Sequence, residues 1–213
     1  MFITIQEKEL QAEIVEKKSK FIATIFYVQT EEEANNILKN MRKKYYDARH
    51  NCYAYRLSTV DGIIEKSSDD GEPCGTAGGP MLNILKGKNL CNILVVVTRY
   101  FGGILLGTGG LVRAYTEATN KALSLATYAN ETLGLEVEVE IEYTQLETLK
   151  YYCKKKNINI VNITYGNNIK CYLEATEEEL NQMVNKEVSN CKILTHKIVM
   201  TKNIRKPINA VSI

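Results

Sequence analysis

The chain has 213 residues, enough for one large domain or two small ones, each with a core of its own. Its 27 lysine and arginine residues nearly balance 25 aspartate and glutamate residues, so the net charge of +2 does not indicate a strongly basic nucleic-acid module. No apolar run approaches the roughly 20 residues that span a bilayer, and no signal peptide is evident, so we expect a cytoplasmic protein without membrane contact. The six cysteines lack metal-type spacing and are expected to be free thiols.

The first half of the chain alternates strand-like and helix-like stretches. Strand candidates are FITIQ, KFIATIFYV, HNCYAYRL and GIIEK, while NILVVVTRYF has the continuous aliphatic content of a strand buried on both faces. Thr30 and Glu33 form a capping-box pattern that predicts the start of a helix. A second helix is predicted from Pro80 to Lys86, with proline at its first position. A third, longer helix follows GGILLGTGG, and one of its faces carries Leu111, Ala114 or Tyr115, Ala118, Ala122 and Leu125.

The second half has a more regular pattern. GLEVEVEIEY alternates apolar and acidic residues as a half-buried strand does, and INIVNITY, IKCYLEA and CKILTHKIVM are further strand candidates. Thr144 with Glu147, and Thr176 with Glu179, repeat the capping-box pattern and predict two helices between these strands. The resulting order, β-α-β-β-α-β, predicts a ferredoxin-like domain.

These elements predict an α+β protein with two domains. We place the first domain at residues 1–133 and the second at 134–201. A basic tail is expected at 202–213, where Lys202, Arg205 and Lys206 stand without an acidic residue.

Two glycine-rich stretches, DDGEPCGTAGGP at 69–80 and GGILLGTGG at 102–110, each precede a predicted helix. Free N–H groups and the positive end of the helix dipole suit an anion such as phosphate at these points. Neither stretch is a nucleotide fingerprint, because the P-loop GK[ST] is missing and Val112 stands where the Rossmann spacing needs a third glycine. ATP and NAD are therefore disfavoured, and we expect no cofactor.

The hypothesis for the site is a phosphate- or RNA-binding surface organised by the acidic loop. Its binding residues are Arg99, Gly102, Gly103, Gly107, Gly109, Gly110 and Arg113, and its loop-organising residues are Asp69, Asp70, Glu72 and Thr76. Two alternatives stay open. The glycines could serve only tight turns, with the acids pairing Arg49, Arg56, Arg99 or Arg113. The acids Asp69, Asp70 and Glu72 could instead hold Mg²⁺ in an enzyme acting on a phosphate-containing substrate.

Nucleophilic catalysis has one candidate group in this sequence. His50 and Cys52 share one face of a predicted strand, and Asp47 is near them in the chain. A histidine beside a buried cysteine is more often structural, and HExxH and GxSxG motifs are absent. We therefore assign no catalytic residue and no metal ligand.

Three motifs in the order DARHNCYAY, SSDDGEPCGTAGGPML and VVVTRYFGGILLGTGGLVRAY lie between residues 47 and 115. Together they resemble the signature of the IMPACT family in its two-domain bacterial form. The resemblance implies an N-terminal domain similar to the superfold of ribonuclease PH and of the fourth domain of elongation factor G. It also implies a ferredoxin-like second domain similar to the fifth domain of that factor.

For eukaryotic members, the resemblance implies regulators of translation that act through a protein partner and carry an additional N-terminal interaction domain. For this chain it implies a non-catalytic cytoplasmic protein linked to translation regulation through binding of RNA or the ribosome. The magnesium-dependent enzyme remains one alternative. A protein-interaction module without nucleic-acid contact remains another, because the overall charge is close to neutral.

Overall fold

The computed structural model describes residues 2–59, 61–184 and 191–208. The chain divides into two compact units, an N-terminal unit made of Phe2–Ala129 with Ile208, and a C-terminal unit made of Asn130–Pro207. Both units combine helices with antiparallel strand pairs, so the predicted α+β class with two domains is confirmed. The division falls a few residues before the position that the sequence predicts. Within the described residues, no helix is long and apolar enough to cross a membrane.

The N-terminal unit is built on one five-stranded sheet. Its strands and helices are β1 Phe2–Ile5, β2 Glu9–Glu16, β3 Ser19–Tyr27, α1 Glu31–Lys44, β4 His50–Thr59, β5 Gly62–Ser68, α2 Gly78–Gly87, β6 Ile93–Tyr100 and α3 Gly107–Leu123. The sheet order is β2-β3-β6-β4-β5, and every neighbouring pair is antiparallel. The aliphatic strand β6 therefore lies at the centre, as its sequence predicts, and it is buried over nearly its whole length.

Helices cover both faces of this sheet. Ile93, Val95 and Val97 of β6 pack into a cluster that includes buried residues of α2 and α3. The alternate residues, Leu94 and Val96, pack into a second cluster with buried residues of α1. Because side chains alternate along a strand, β6 contributes to two cores and contains no polar side chain until Thr98.

Several predicted boundaries in this unit shift. The hydroxyl of Thr30 accepts a 3.1 Å hydrogen bond from the Glu33 N–H, which confirms this N-cap. Helix α2 begins at Gly78, so Pro80 is its third residue rather than its first. Helix α3 ends at Leu123, and Leu125 lies beyond it and is exposed. Strand β2 has no counterpart among the strands predicted from the sequence.

The C-terminal unit contains the order predicted for it. Its elements are β7 Tyr128–Ile141, α4 Leu146–Lys156, β8 Asn159–Tyr165, β9 Ile169–Ala175, α5 Glu177–Val184 and β10 Ile193–Pro207, where the first two residues of β7 belong to the N-terminal unit. Strand β7 pairs antiparallel with β9, β9 pairs antiparallel with β8, and β10 pairs with β7. The inward residues of these strands and the two helices form one core. The β-α-β-β-α-β order is thus observed.

One predicted cap in this unit is confirmed and one is wrong. Thr176 and Glu179 form a reciprocal capping box. The Glu179 N–H donates to the Thr176 hydroxyl at 3.2 Å, and the Thr176 N–H donates to the Glu179 carboxylate at 2.8 Å. The expected cap at Thr144 is wrong, because residues 143–145 form a 3-10 turn and α4 begins at Leu146 without a side-chain cap. Thr144 lies inside this 3-10 turn and therefore cannot be the residue that caps α4.

The expected basic tail is wrong for residues 202–207, which form the end of β10. Lys202 contacts carboxylates of Glu136 and Glu174 at 2.8 and 2.7 Å, and Lys206 contacts Glu179 at 2.9 Å. The carboxylates that pair with these two lysines belong to the same unit, and β10 includes both lysines. Residues 209–213 lie outside the described residues.

Candidate functional site

A cavity of 380 Å³ opens in the N-terminal unit between two loops. We name residues 69–77 the acidic loop, which follows β5 and leads into α2, and residues 101–106 the glycine loop, which joins β6 to α3. The polar residues that line the cavity are Arg49, His50, Glu72, Arg99 and Thr108. The apolar residues that line it are Pro73, Phe101, Leu105, Leu106 and Leu111.

Asp69 holds the acidic loop by capping α2 from outside the helix. Its carboxylate accepts hydrogen bonds of 2.8 to 2.9 Å from the backbone N–H groups of Gly75, Ala77 and Gly78. Burial opposes ionisation of this carboxyl, but the three N–H donors outweigh burial and lower the pKa of Asp69. The positive end of α2 is therefore already satisfied by a side chain of the protein.

Asp70 joins the acidic loop to strand β4. Its carboxylate accepts a 2.7 Å bond from the Asn51 N–H and a 3.1 Å ion-paired bond from Arg42 of α1. Its carbonyl oxygen lies 2.8 Å from Nδ1 of His50, and because a carbonyl only accepts, the proton is on Nδ1. Asp70 adopts a φ of +44°, a conformation that aspartate tolerates better than most residues.

Glu72 and Arg99 form a buried ion pair below the cavity. Nη1 of Arg99 donates to Oε1 of Glu72 at 2.6 Å, and the hydroxyl of Tyr115 donates to the same oxygen at 2.9 Å. Burial, followed by the nearby Cys52 and Glu72, raises the pKa of Tyr115, so this hydroxyl keeps its proton. Nε2 of His50 lies 4.0 Å from the same carboxylate oxygen.

Arg99 has donors that the protein leaves unused. Its side chain is almost fully buried, and Nη2 makes only a long contact of 3.5 Å with the hydroxyl of Ser19. The Nε–H has no acceptor within the part of the chain that the structure describes. The Cζ atom of the guanidinium lies 5.4 Å from the ring centre of Phe21 and 5.6 Å from that of Phe101. A buried donor without an acceptor is costly, and Arg99 is at the same time one of the residues that line the cavity.

The N-terminus of α3 forms the opposite side of the cavity. This 17-residue helix starts at Gly107, and its N-cap Leu106 provides no side-chain hydrogen bond. Gly103 in the glycine loop and Gly107 at the first position of α3 have φ values of +84° and +72°, which favour glycine at both positions. Gly107 and Thr108 line the cavity, and the start of α3 has no capping side-chain hydrogen bond from its N-cap residue, whereas Asp69 caps α2.

The remaining predicted site residues lie around this cavity without lining it. Arg113 is exposed, and its Nε donates to the Gly109 carbonyl at 3.3 Å. Gly110 lies in the same first turns of α3. The hydroxyl of Thr76 donates to the Pro73 carbonyl at 2.7 Å and closes a turn of the acidic loop.

Gly102 has a packing role. A Cβ atom on this residue would lie 2.0 Å from the carbonyl carbon of Lys18, so the backbones pass closer here than any side chain permits. Its N–H donates to the hydroxyl of Ser19 at 3.1 Å. The glycine loop is therefore fixed against the turn between β2 and β3.

The three acids do not converge on a common point. Asp69 faces backbone N–H groups, Asp70 faces Asn51 and Arg42, and Glu72 faces buried donors. Among the described residues, no group of three or more His, Cys, Asp or Glu side chains is arranged to hold a metal ion. The donor set does not fit the magnesium site considered as an alternative.

The candidate nucleophile is not activated. Cys52 is fully buried, and its Sγ lies 2.9 Å from the Asp69 carbonyl. Burial raises the pKa of Cys52 to about 12, so it remains a thiol. The carboxylate of Asp47 accepts a hydrogen bond from Tyr100 at 2.8 Å. Since His50 donates from Nδ1 to a backbone carbonyl, Cys52, His50 and Asp47 do not form a catalytic relay.

The sequence thus predicts the two loops but not the composition of the cavity. Of the predicted residues, Glu72, Arg99 and Gly107 line it. The walls formed by Phe101, Leu105 and Leu106 were not predicted as site residues. The sign of these walls in the sequence is the presence of large apolar residues between the glycines of TRYFGGILLG, because a glycine-rich turn rarely needs large apolar side chains.

Comparison with known proteins agrees with this division into two units. A family model described as "Impact N-terminal domain" matches residues 17–123, and a "Domain of unknown function (DUF1949)" matches residues 139–186. IMPACT family member YvyE of Bacillus subtilis is 37% identical over 84% of this chain and 82% of its own length. IMPACT family member YigZ of Escherichia coli is 44% identical over 67% of this chain and 72% of its own length.

One solved structure, that of a hypothetical protein, resembles most of this chain. It is 33% identical in sequence, covers 87% of this chain and 90% of its own, and superposes with a TM-score of 0.60. The two family models match successive parts of the chain in the order of its two units. On this evidence the chain belongs to the IMPACT family.

Proposed function

We propose that this chain is a non-catalytic cytoplasmic protein of translation regulation that binds RNA or the ribosome through the N-terminal unit. The binding surface is the cavity with the exposed first turns of α3, which include Arg113. Membership of the family supports the link to translation, since the IMPACT signature implies regulators of translation among its eukaryotic members. Likeness of the two domains to the fourth and fifth domains of elongation factor G, also implied by the signature, favours a ribosomal or RNA partner.

One observation carries the proposal. The buried residue Arg99 has an Nε–H without an acceptor within the described residues, and Arg99 lines a cavity that also includes the uncapped start of α3. Both features provide N–H donors, and phosphate oxygens accept strongly from guanidinium and helix N-terminal groups. The acidic loop does not repel such a ligand, because the charges of Asp69, Asp70 and Glu72 are engaged by donors of the protein.

The proposal is tested by titrating the purified protein with single-stranded RNA at several salt concentrations. Arg113→Ala removes an exposed cation beside the cavity and should weaken binding by about 1 to 3 kcal/mol. The slope of log affinity against log salt should flatten by about 0.7, the contribution of one phosphate contact to a single strand.

Lys39→Ala is the matched control for this test. Lys39 is an exposed cation on α1, the helix that covers the opposite face of the sheet. Its removal lowers the net charge equally and should leave both affinity and salt slope unchanged. Equal losses in the two variants, or no RNA binding by the wild-type protein, would contradict the proposal.

A second candidate function is docking of a protein partner at the glycine loop. Leu105 is 83% exposed, and Phe101 and Ile104 are also exposed beside it. Adjacent exposed apolar residues of this kind are common in protein interfaces. Ile104→Ser should weaken capture of such a partner while leaving RNA titrations nearly unchanged, because Ile104 is exposed but is not among the residues that line the cavity, so the two functions can be separated in one variant.

A further inference from the structure

We propose that the cavity selects the terminal phosphate of a nucleic-acid strand, a phosphate monoester carried by the last nucleotide, over phosphates in the interior of the strand. This inference rests on the proposed binding of RNA and names the part of the RNA that enters the cavity. The burial of Arg99, the charges around it and the apolar wall of the glycine loop all favour a terminal phosphate.

Burial of Arg99 restricts which phosphate can reach it. The residue is only 5% exposed, and it lines the cavity rather than the open protein surface. An interior phosphodiester is continuous with a nucleotide on each side, so a strand that passes over the surface keeps it outside a one-sided cavity. A terminal phosphate is attached on one side only and can enter. Access therefore favours the end of a strand.

Charge favours the same group. The charge of Arg99 is matched by Glu72 at 2.6 Å, so an anion in the cavity meets no unpaired carboxylate there. The attraction that remains comes from the uncapped start of α3, where Gly107 and Thr108 line the cavity, and from Arg49, an exposed cation among the lining residues. A phosphate monoester carries a charge of about −1.5 to −2 near neutral pH, and a diester carries about −1. These donors therefore stabilise the monoester more strongly.

The apolar wall of the cavity suits the nucleobase of the same terminal nucleotide. Phe101, Leu105 and Leu106 line the cavity on the side of the glycine loop, and Phe101 also stacks on the Arg99 guanidinium. An aromatic ring of this kind supports stacking of a nucleobase without selecting its sequence. The cavity of 380 Å³ is within the range of roughly 300 to 1,000 Å³ typical of small-ligand sites, which suits one nucleotide.

The test uses single-stranded RNA oligonucleotides of about eight nucleotides, in the range of sites bound by single domains. They share one sequence and carry a 5′-phosphate, a 3′-phosphate or hydroxyl groups at both ends, with an internal fluorophore for anisotropy. We expect one phosphorylated oligonucleotide to bind at least about tenfold more tightly than the hydroxyl-ended one, a difference that a charge-assisted hydrogen bond can supply. The 5′ and 3′ arms identify the strand end. A nucleoside monophosphate should compete for the site, and the matching nucleoside should not.

Variants at the exposed rim avoid disturbing the buried ion pair. Arg49→Ala and Phe101→Ala should each reduce the preference for the phosphorylated end, whereas Lys39→Ala should retain it. Circular dichroism and thermal unfolding establish that the variants fold. RNA binding of equal affinity with and without terminal phosphate overturns this inference and leaves the proposed function standing. Absence of binding to any of the three oligonucleotides overturns both.

Discussion

Oε1 of Glu72 accepts a hydrogen bond from Nη1 of Arg99 at 2.6 Å, and the two side chains are only 3% and 6% exposed. Tyr115 donates to the same carboxylate oxygen. Such a pair contributes to stability chiefly through the cost of breaking it, because removing one charge leaves the other buried without compensation.

Glu72→Gln should destabilise the N-terminal unit by about 3 kcal/mol, since it leaves the Arg99 charge uncompensated in the core. Urea unfolding followed by circular dichroism measures the change. The double variant Glu72→Gln with Arg99→Met removes both charges and should recover part of the loss. A single variant as stable as the wild type would contradict a buried and functional ion pair.

Asp69→Asn should destabilise the protein by about 2 kcal/mol, because an amide cannot replace a carboxylate that accepts three backbone N–H bonds. Gly75, Ala77 and Gly78 would each be affected, so the start of α2 should lose protection from hydrogen exchange. Asn36→Ala, a change at an exposed position of α1, is the control for loss of a polar side chain. Unchanged exchange at α2 would contradict the capping role.

The contribution of Asp69 should also depend on pH in one direction. Its pKa is lowered in the folded state, so the unfolded state binds the proton more readily. The stabilisation is therefore complete above about pH 5, above the ordinary aspartate range, and is lost as the pH falls through the lowered folded pKa. The difference in unfolding free energy between wild type and Asp69→Asn should shrink with acidification below about pH 4. A difference independent of pH would contradict this assignment.

Gly102→Ala should destabilise the protein by about 1 to 3 kcal/mol, because the added Cβ meets the backbone of Lys18 and neither backbone can move freely. Gly109→Ala is the matched control within α3, since nothing lies within 4 Å of its added Cβ. Alanine in a helix should stabilise Gly109→Ala by roughly 0.5 to 1 kcal/mol. Thermal unfolding of both variants distinguishes packing at Gly102 from a general need for glycine in this segment.

The cysteines should separate into one reactive thiol and five protected ones. Cys74 in the acidic loop is exposed, and the other five are buried. A water-soluble disulfide reagent at pH 8 should therefore modify one equivalent quickly in the folded protein and the rest only on unfolding. Cys74→Ser should remove the fast phase. Rapid modification of Cys52 in that variant would contradict its burial and its raised pKa.

Local sequence rules predicted most elements but missed β2 for a specific reason. Strands β2 and β3 form a hairpin whose two turn residues, Lys17 and Lys18, have φ values of +46° and +66°. Such turns normally carry Asn-Gly or Asp-Gly, so two lysines give no hairpin signal. The basic residues near the C-terminus were misjudged in a similar way, because their counterions are on other strands.

The candidate site shows the same limit. The anion-binding expectation followed from glycines before α3, and the structure leaves the start of that helix uncapped. That Asp69 satisfies α2 instead could not be inferred, since its acceptor oxygens reach N–H groups six to nine residues ahead. The ion pair of Glu72 with Arg99 was one of several pairings open at the sequence level. Which acid pairs with which arginine depends on distances in the folded chain that the sequence does not contain. The binding roles of the site residues stay predictions.

The contact of Gly102 with Ser19 has a consequence for biosynthesis. These residues are 83 positions apart in the chain, and the cavity beside them draws its walls from four stretches between Arg49 and Leu111. Contacts of such sequence separation form slowly, since a long loop must close before they add stability. A nascent chain shorter than about 110 residues lacks the start of α3 and cannot present the cavity. The complete cavity is therefore available only after nearly the whole N-terminal unit has left the ribosomal tunnel.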